Sequence, residues 1–136
     1  MTAVDTSVVV AAFASWHEGH AAAAAALARR PRIPAHVMVE TFSVLTRLPP
    51  PHRAPADLVR QFLAERFPDA PLMLPPSKYH KFLATATAAG IVGGSVYDAL
   101  IAATTQHAGA TLVTRDQRAR ATYDRLGIAY ELLQEE

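Results

Sequence analysis

Apolar residues along this chain fall into blocks set off by proline, glycine and polar breaks, and the blocks come in two lengths. The short blocks Thr2–Asp5, Leu72–Leu74, Ala110–Thr114 and Ile128–Leu132 are aliphatic and read as buried strands. Arg32–Pro34 is a weaker strand candidate, because proline cannot donate to a ladder. The long blocks read as helices. Thr6–Ala14 is the first, and His17–Arg30 the second. The second is dominated by alanine, the best helix former, with Glu18 near its start and Arg29 and Arg30 at its end, as the helix dipole favours. Ala35–Leu48 sets Val37, Val44 and Leu48 along one side and Met38, Phe42 and Leu45 along another. Three prolines from Pro49 end it, and 49–55 reads as a stiff surface linker with polyproline character. Ala56–Phe67 follows, with Leu58, Phe62 and Leu63 inward. Ser77–Ala89 stops at Gly90, Val96–His107 is capped by Ser95 and ended by Gly109, and Gln117–Leu126 is ended by Gly127. Strands alternating with helices predict an α/β fold whose parallel sheet is covered on both faces.

A length of 136 residues with 51% hydrophobic content fits one domain, residues 1–136, with a real core. The formal charge of +1 supplies no bulk basic field for nucleic acid, so local clusters matter more: Arg29, Arg30 and Arg32, and Arg115, Arg118 and Arg120. The absence of cysteine excludes disulfides, thiolate metal sites and cysteine catalysis. No run is long and apolar enough to span a bilayer, and no basic segment precedes the apolar stretch 8–14, since the first cationic side chain is Arg29. A cytoplasmic protein is expected.

Against this background four acids stand out: Asp5, Glu40, Asp98 and Asp116. Each lies in or beside an apolar stretch, where an unpaired carboxylate is costly and calls for a partner or a metal ion. Asp5 and Asp116 each follow a predicted strand and precede a helix, which places both at the carboxyl edge of a parallel sheet, where sites form. Each also suits a helix N-cap, although Thr6 or Ser7 offers an alternative cap beside Asp5. Asp98 fits a capping box with Ser95, yet its helical neighbours Ile101, Ala102 and Thr105 carry no charge and point it inward. Glu40 shares its helix side with Val37, Ser43 and Val44, and Arg47, seven residues on, is a partner only less directly than an i+4 neighbour would be. Oxygen-only donors suit magnesium or manganese.

The segments around these acids resemble the motifs of the PIN domain. Residues 1–8, MTAVDTSV, resemble its opening; 39–47, VETFSVLTR, its second motif; 97–104, YDALIAAT, its third; and 112–119, LVTRDQRA, with Tyr123 and Leu126–Gly127, its fourth. The resemblance covers nearly the whole chain, and the size matches the VapC toxins of bacterial toxin–antitoxin pairs. It implies a three-layer α/β sandwich with a central, mostly parallel sheet of four to five short strands flanked by helices. It also implies a Mg2+- or Mn2+-dependent endoribonuclease acting on transfer or ribosomal RNA, with a cognate VapB-type antitoxin as partner. A homodimer is implied as well, with the helices around Phe42 and Phe62 as candidate contacts. The family's acidic positions fall on Asp5, Glu40, Asp98 and Asp116, and its hydroxyl positions on Thr6 or Ser7 and on Thr114. Gln117, Arg118 and Ala119 follow the last acid, so a fifth acidic ligand is absent there. Arg47, Arg115 and Arg118 are candidates to line the RNA path.

Other features carry less. His17 and His20, or His36 and Glu40, have metal-compatible spacing but no third ligand. Gly90, Gly93 and Gly94 lack a phosphate-loop pattern and read as a turn. Trp16 reads as a helix-junction anchor rather than a base platform. Two alternatives to the nuclease are a catalytically inactive PIN-type module binding RNA or protein, and a phosphoacceptor signalling domain. The second lacks the adjacent acid pair and late lysine it needs, since Thr6 follows Asp5 and the last lysine is Lys81.

Overall fold

The computed structural model describes residues 1–133. Three strands form one sheet in the order β1 (Thr2–Val4), β2 (Thr111–Thr114), β3 (Tyr130–Leu132), all parallel. Val4 pairs with Val113, and Thr114 with Leu132. The segments around Arg32 and Leu72, expected as strands, extend the sheet by single parallel bridges, Ala3 to Arg32 and Pro34 to Leu72. Pro34 and Pro71 have no amide hydrogen, which limits these segments to isolated rungs such as Leu72 N–H to Ile33 O at 2.8 Å.

Seven α-helices surround the sheet among the described residues: α1 (Thr6–Phe13), α2 (His20–Ala28), α3 (Ala35–Thr46), α4 (Ala56–Arg66), α5 (Tyr79–Ala88), α6 (Ser95–His107) and α7 (Arg120–Leu126). Helices α1 and α6 both pack on β2, and α3 packs on α1, α4 and α6. The main core joins Val4, Val8 and Val9 to Ile33, Val37, Leu45, Leu112 and Val113, all essentially without exposed surface. A smaller cluster of Leu74, Phe82, Ala86, Ile91 and Ala99 fixes α5 against α6. No described helix is long and apolar enough to cross a membrane.

Several boundaries differ from expectation for local reasons. The second helix begins at His20, not His17, because a turn through Glu18 and Gly19 comes first, with the Gly19 amide donating to His17 Nδ1 at 2.9 Å. Helix α7 begins at Arg120 rather than Gln117, since Asp116 organises the intervening turn. In α4 the expected Leu63 is buried and Phe62 packs on the core, but Val59 is buried in place of Leu58, which is half exposed. Trp16 does stand at the α1–α2 junction, but its side chain is exposed.

Candidate active site

Asp5 follows β1 directly, and its amide donates to Val113 O at 3.1 Å, continuing the ladder by one step. The residue then turns the chain into α1, and it, not Thr6 or Ser7, is the N-cap: Oδ1 accepts from the Val8 amide at 3.4 Å. Ser7 Oγ donates to the same oxygen at 2.5 Å, while Tyr123 donates its phenol to Oδ2 at 3.1 Å. The carboxyl is almost wholly buried, and burial pushes its pKa above the usual carboxylate range, against the pull of hydrogen bonds from Ser7, Thr114, Tyr123 and Val8. Burial likewise raises Tyr123, with the charges of Asp5 and Asp98 adding to it, so the phenol stays a donor.

Asp116 stands one strand over, just past Thr114, and its amide donates to Thr114 Oγ1 at 3.0 Å. Its Oδ1 accepts from the Arg118 amide at 2.9 Å and the Ala119 amide at 3.4 Å. Asp116 thus caps the turn ahead of α7 with one oxygen. The Arg115 amide donates to Ser7 Oγ at 3.0 Å, so the hydroxyl beside Asp5 is fixed by the strand that carries Asp116.

Glu40 projects from α3 toward α1, where Thr6 Oγ1 donates to its Oε1 in a short hydrogen bond. Its Oε2 lies 3.3 Å from His36 Nε2, one helical turn back. The His36 ring stacks flat on Tyr97, with centroids 5.2 Å apart and planes 2° from parallel. Tyr97 precedes Asp98 on α6, so this stack ties the helix of the second acid to that of the third.

Asp98 is half-buried in the first turn of α6. The capping box expected with Ser95 does not form, because Ser95 is already helical and Gly94 occupies the cap position without a side-chain bond. The Asp98 carboxyl is pushed up to about 6, first by burial and then by the charges of Asp116, Asp5 and Glu40, with Arg118 opposing. Asp98 therefore lies within electrostatic reach of the other three acids.

Among the cations, Arg118 is almost fully exposed and its Nε lies 3.9 Å from Asp116 Oδ1. Arg47 is exposed at the end of α3 and donates to Ser43 Oγ at 3.1 Å. Arg115 turns inward instead. Its guanidinium packs on the Gly19 backbone so closely that a Cβ there would meet Nε at 2.5 Å, and it depresses the His17 pKa alongside burial.

The PIN domain profile matches residues 2–125. This chain belongs to the PIN-domain family. It is 48% identical over 133 residues, 98% of this chain and 99% of the relative, to a protein named Ribonuclease VapC40 of Mycobacterium tuberculosis (strain CDC 1551 / Oshkosh). It is also 43% identical over 128 residues to Ribonuclease VapC27 of Mycobacterium tuberculosis (strain ATCC 25618 / H37Rv), covering 93% of this chain and 92% of that one. The near-complete coverage on both sides places this PIN domain in the VapC branch.

The donor set suits a hard divalent ion by charge: oxygen atoms only, with mutual repulsion that a cation relieves. Among the described residues, no group of three or more histidine or acidic side chains is arranged to hold a metal ion as it stands. Two residues that contact the acids lie outside the expected site: Tyr123, a motif position, and His36, whose spacing to Glu40 lacks a third zinc ligand. The helical i, i+4 spacing of His36 and Glu40 was the available signal for the latter.

Proposed function

We propose that this PIN domain is a Mg2+- or Mn2+-dependent endoribonuclease, the toxin of a VapBC-type pair, built as one domain over residues 1–136. The observation that carries the reading is the Asp98 carboxyl held at about 6 by burial and by three like charges from different elements. Like charges gathered at the carboxyl edge of a parallel sheet favour function over packing. The names of the two relatives, both ribonucleases, support the same reading.

In this reading Asp5, Glu40, Asp98 and Asp116 hold the ion directly or through water. When bound, the ion supplies charge neutralisation at the phosphodiester and an activated water. The protein's own residues fix the carboxylates. Ser7 and Tyr123 clamp the two oxygens of Asp5; Thr6 bonds one oxygen of Glu40, and His36 Nε2 lies 3.3 Å from the other. Thr114 holds the Asp116 backbone and bonds Asp5, leaving it close to both. The reaction is hydrolysis: a water oxygen forms a bond to phosphorus, one RNA P–O bond breaks, and the water proton passes to the leaving oxygen. The exposed Arg118 and Arg47 border the path for transfer or ribosomal RNA, and Arg115, expected there too, instead turns inward onto Gly19.

The partners follow from the same assignment: a VapB-type antitoxin that covers the acids, and a second copy of the chain. For the latter, a largely apolar groove of about 430 Å3 lined by Met38, Val39, Phe42, Leu63 and Ala64, with Arg60, offers a surface. A cytoplasmic location fits these partners.

The test is cleavage of total RNA by purified protein. Cleavage stops in chelator and returns with Mg2+ or Mn2+, and it is lost in a folded Asp98→Asn variant. Undiminished cleavage in excess chelator would sink the metal mechanism.

A further inference from the structure

Trp16 and His52 come from separate segments and stack with ring centroids 3.9 Å apart and planes inclined by 31°. Trp16 belongs to the turn between α1 and α2, His52 to the proline-rich linker between α3 and α4. The indole is 51% exposed, so one broad face is backed by imidazole and much of its surface is left to solvent. An exposed tryptophan packed at 3.9 Å against a second, tilted ring is a partly preorganised π-surface, because that neighbour restricts its rotamers.

The chain segments that carry the two rings hold more cations than acids. Between Glu40 and Asp57 the chain carries Arg47, His52 and Arg53 and no acid. Arg53 is exposed, its Nε donating to Leu48 O at 2.9 Å, and this orients the guanidinium along the linker. On the α1–α2 turn, Trp16 adjoins His17, and Glu18 is the one acid there. The Arg115 guanidinium reaches this turn at Gly19.

Arg115 also measures how far the aromatic pair stands from the acids. Its amide donates to Ser7 Oγ, which donates to Asp5, while its side chain reaches the residue three places after Trp16. Along the other route, eight-residue α1 separates Asp5 from the same turn, about 12 Å at 1.5 Å per residue. At about 3.4 Å per stacked nucleotide of one strand, that is a path of roughly three to four nucleotides.

We propose that the Trp16–His52 pair is a stacking platform for an unpaired base of single-stranded RNA, placed a few nucleotides from the acidic site. The proposal rests on the ribonuclease reading above and deepens it by naming the substrate form the site takes. Stacking is tolerant of base identity because every base has a π-face, so the platform selects unpaired over paired RNA rather than one sequence. The cations of the linker face the backbone of that strand.

Trp16 is the chain's one tryptophan, so its emission reports on this place alone. The experiment titrates full-length Asp98→Asn protein in chelator, where no cleavage occurs, with a dye-labelled single-stranded oligoribonucleotide about ten nucleotides long and with the same strand in a duplex. Binding is followed by dye anisotropy and, in parallel, by tryptophan emission. The expected result is saturable quenching by the single strand, tracking anisotropy, and little by the duplex. Trp16→Ala should then weaken single-strand binding about 5- to 150-fold, the range for loss of one stacked base, and Trp16→Phe should recover most of it. Anisotropy that saturates without any change in emission overturns the platform, as does a folded Trp16→Phe protein that binds both RNA forms alike. Emission that responds to dilution of the protein and not to RNA also overturns it, marking a contact between copies instead. Wild-type cleavage separates the two levels: RNA cut normally while Trp16 stays silent removes only the platform. No RNA binding or cleavage at all removes the platform together with the ribonuclease reading.

Discussion

Tyr123 and Asp5 are joined by a buried hydrogen bond of 3.1 Å that spans 118 positions of sequence. The bond ties α7 to the end of β1 and leaves Asp5 with a fully engaged carboxylate: Ser7 and Val8 on Oδ1, Tyr123 on Oδ2. It also opposes the burial that pushes the Asp5 carboxyl up.

Tyr123→Phe should therefore act on both stability and pH dependence. A hydrogen bond to a charged group contributes about 1.5–3 kcal/mol, so denaturant unfolding near neutral pH should show a loss on that order. Without the phenol the Asp5 carboxyl rises further, and the acid limb of the cleavage profile moves to higher pH. An unfolding midpoint and pH profile both equal to wild type would mean that Tyr123 only fills space.

Asp98 predicts a pH dependence of stability with an unusual sign. Its folded pKa is raised to about 6, well above the usual range of an aspartate, so the folded state holds the proton more tightly than the unfolded chain. The stabilising contribution is complete below about 4 and is lost as pH rises through about 6. We predict that metal-free Asp98→Asn matches wild type near pH 4 and becomes more thermostable than wild type by pH 7. Added Mn2+ should then narrow that gap by stabilising wild type alone. Parallel melting curves across the whole range would show that the carboxyl is not perturbed.

Thr6 supplies a third test, because it holds Glu40 from outside the acid set. Partners that orient a metal-binding side chain typically change metal affinity 10–100-fold when removed. Thr6→Val should weaken Mn2+ binding by about that factor in calorimetry, and Thr6→Ser should restore it. Equal affinity in all three proteins would assign Thr6 to the packing of α1 on α3.

Much of this arrangement was readable along the chain, and the exceptions share a cause. The elements and the four acids follow from local signals: strand then acid then helix at Asp5 and Asp116, and a charge inside an uncharged helical face at Asp98 and Glu40. Where two local rules competed, the sequence could not arbitrate. Ser95 suits a cap, but the turn through Gly93 and Gly94 places it one residue inside α6. Leu58 and Val59 are both apolar, and the docking of α4, not its composition, decides which is buried. The clamp of Tyr123 on Asp5, the reach of Arg115 to Gly19 and the stack of Trp16 on His52 depend on segments meeting in space, which no local pattern records.

Arg118 separates the rim of the site from its floor. Its side chain is almost wholly in solvent, with Nε 3.9 Å from Asp116 Oδ1, and its charge opposes the rise of Asp98. An exposed pair of this kind adds little to stability. We predict that Arg118→Ala leaves the melting temperature nearly unchanged and weakens RNA binding. If the guanidinium meets one phosphate, the slope of log affinity against log salt should fall by about 0.7, the value for one contact on a single strand. Metal binding should persist, because a guanidinium does not ligate a cation, although the Asp98 carboxyl should move further up once the opposing charge is gone. Affinity of metal-free Asp98→Asn protein, with and without Arg118→Ala, measured across a salt series isolates the phosphate contact from both effects. An unchanged slope would move the RNA backbone away from Arg118 and toward the exposed cations Arg47 and Arg53 beside the linker.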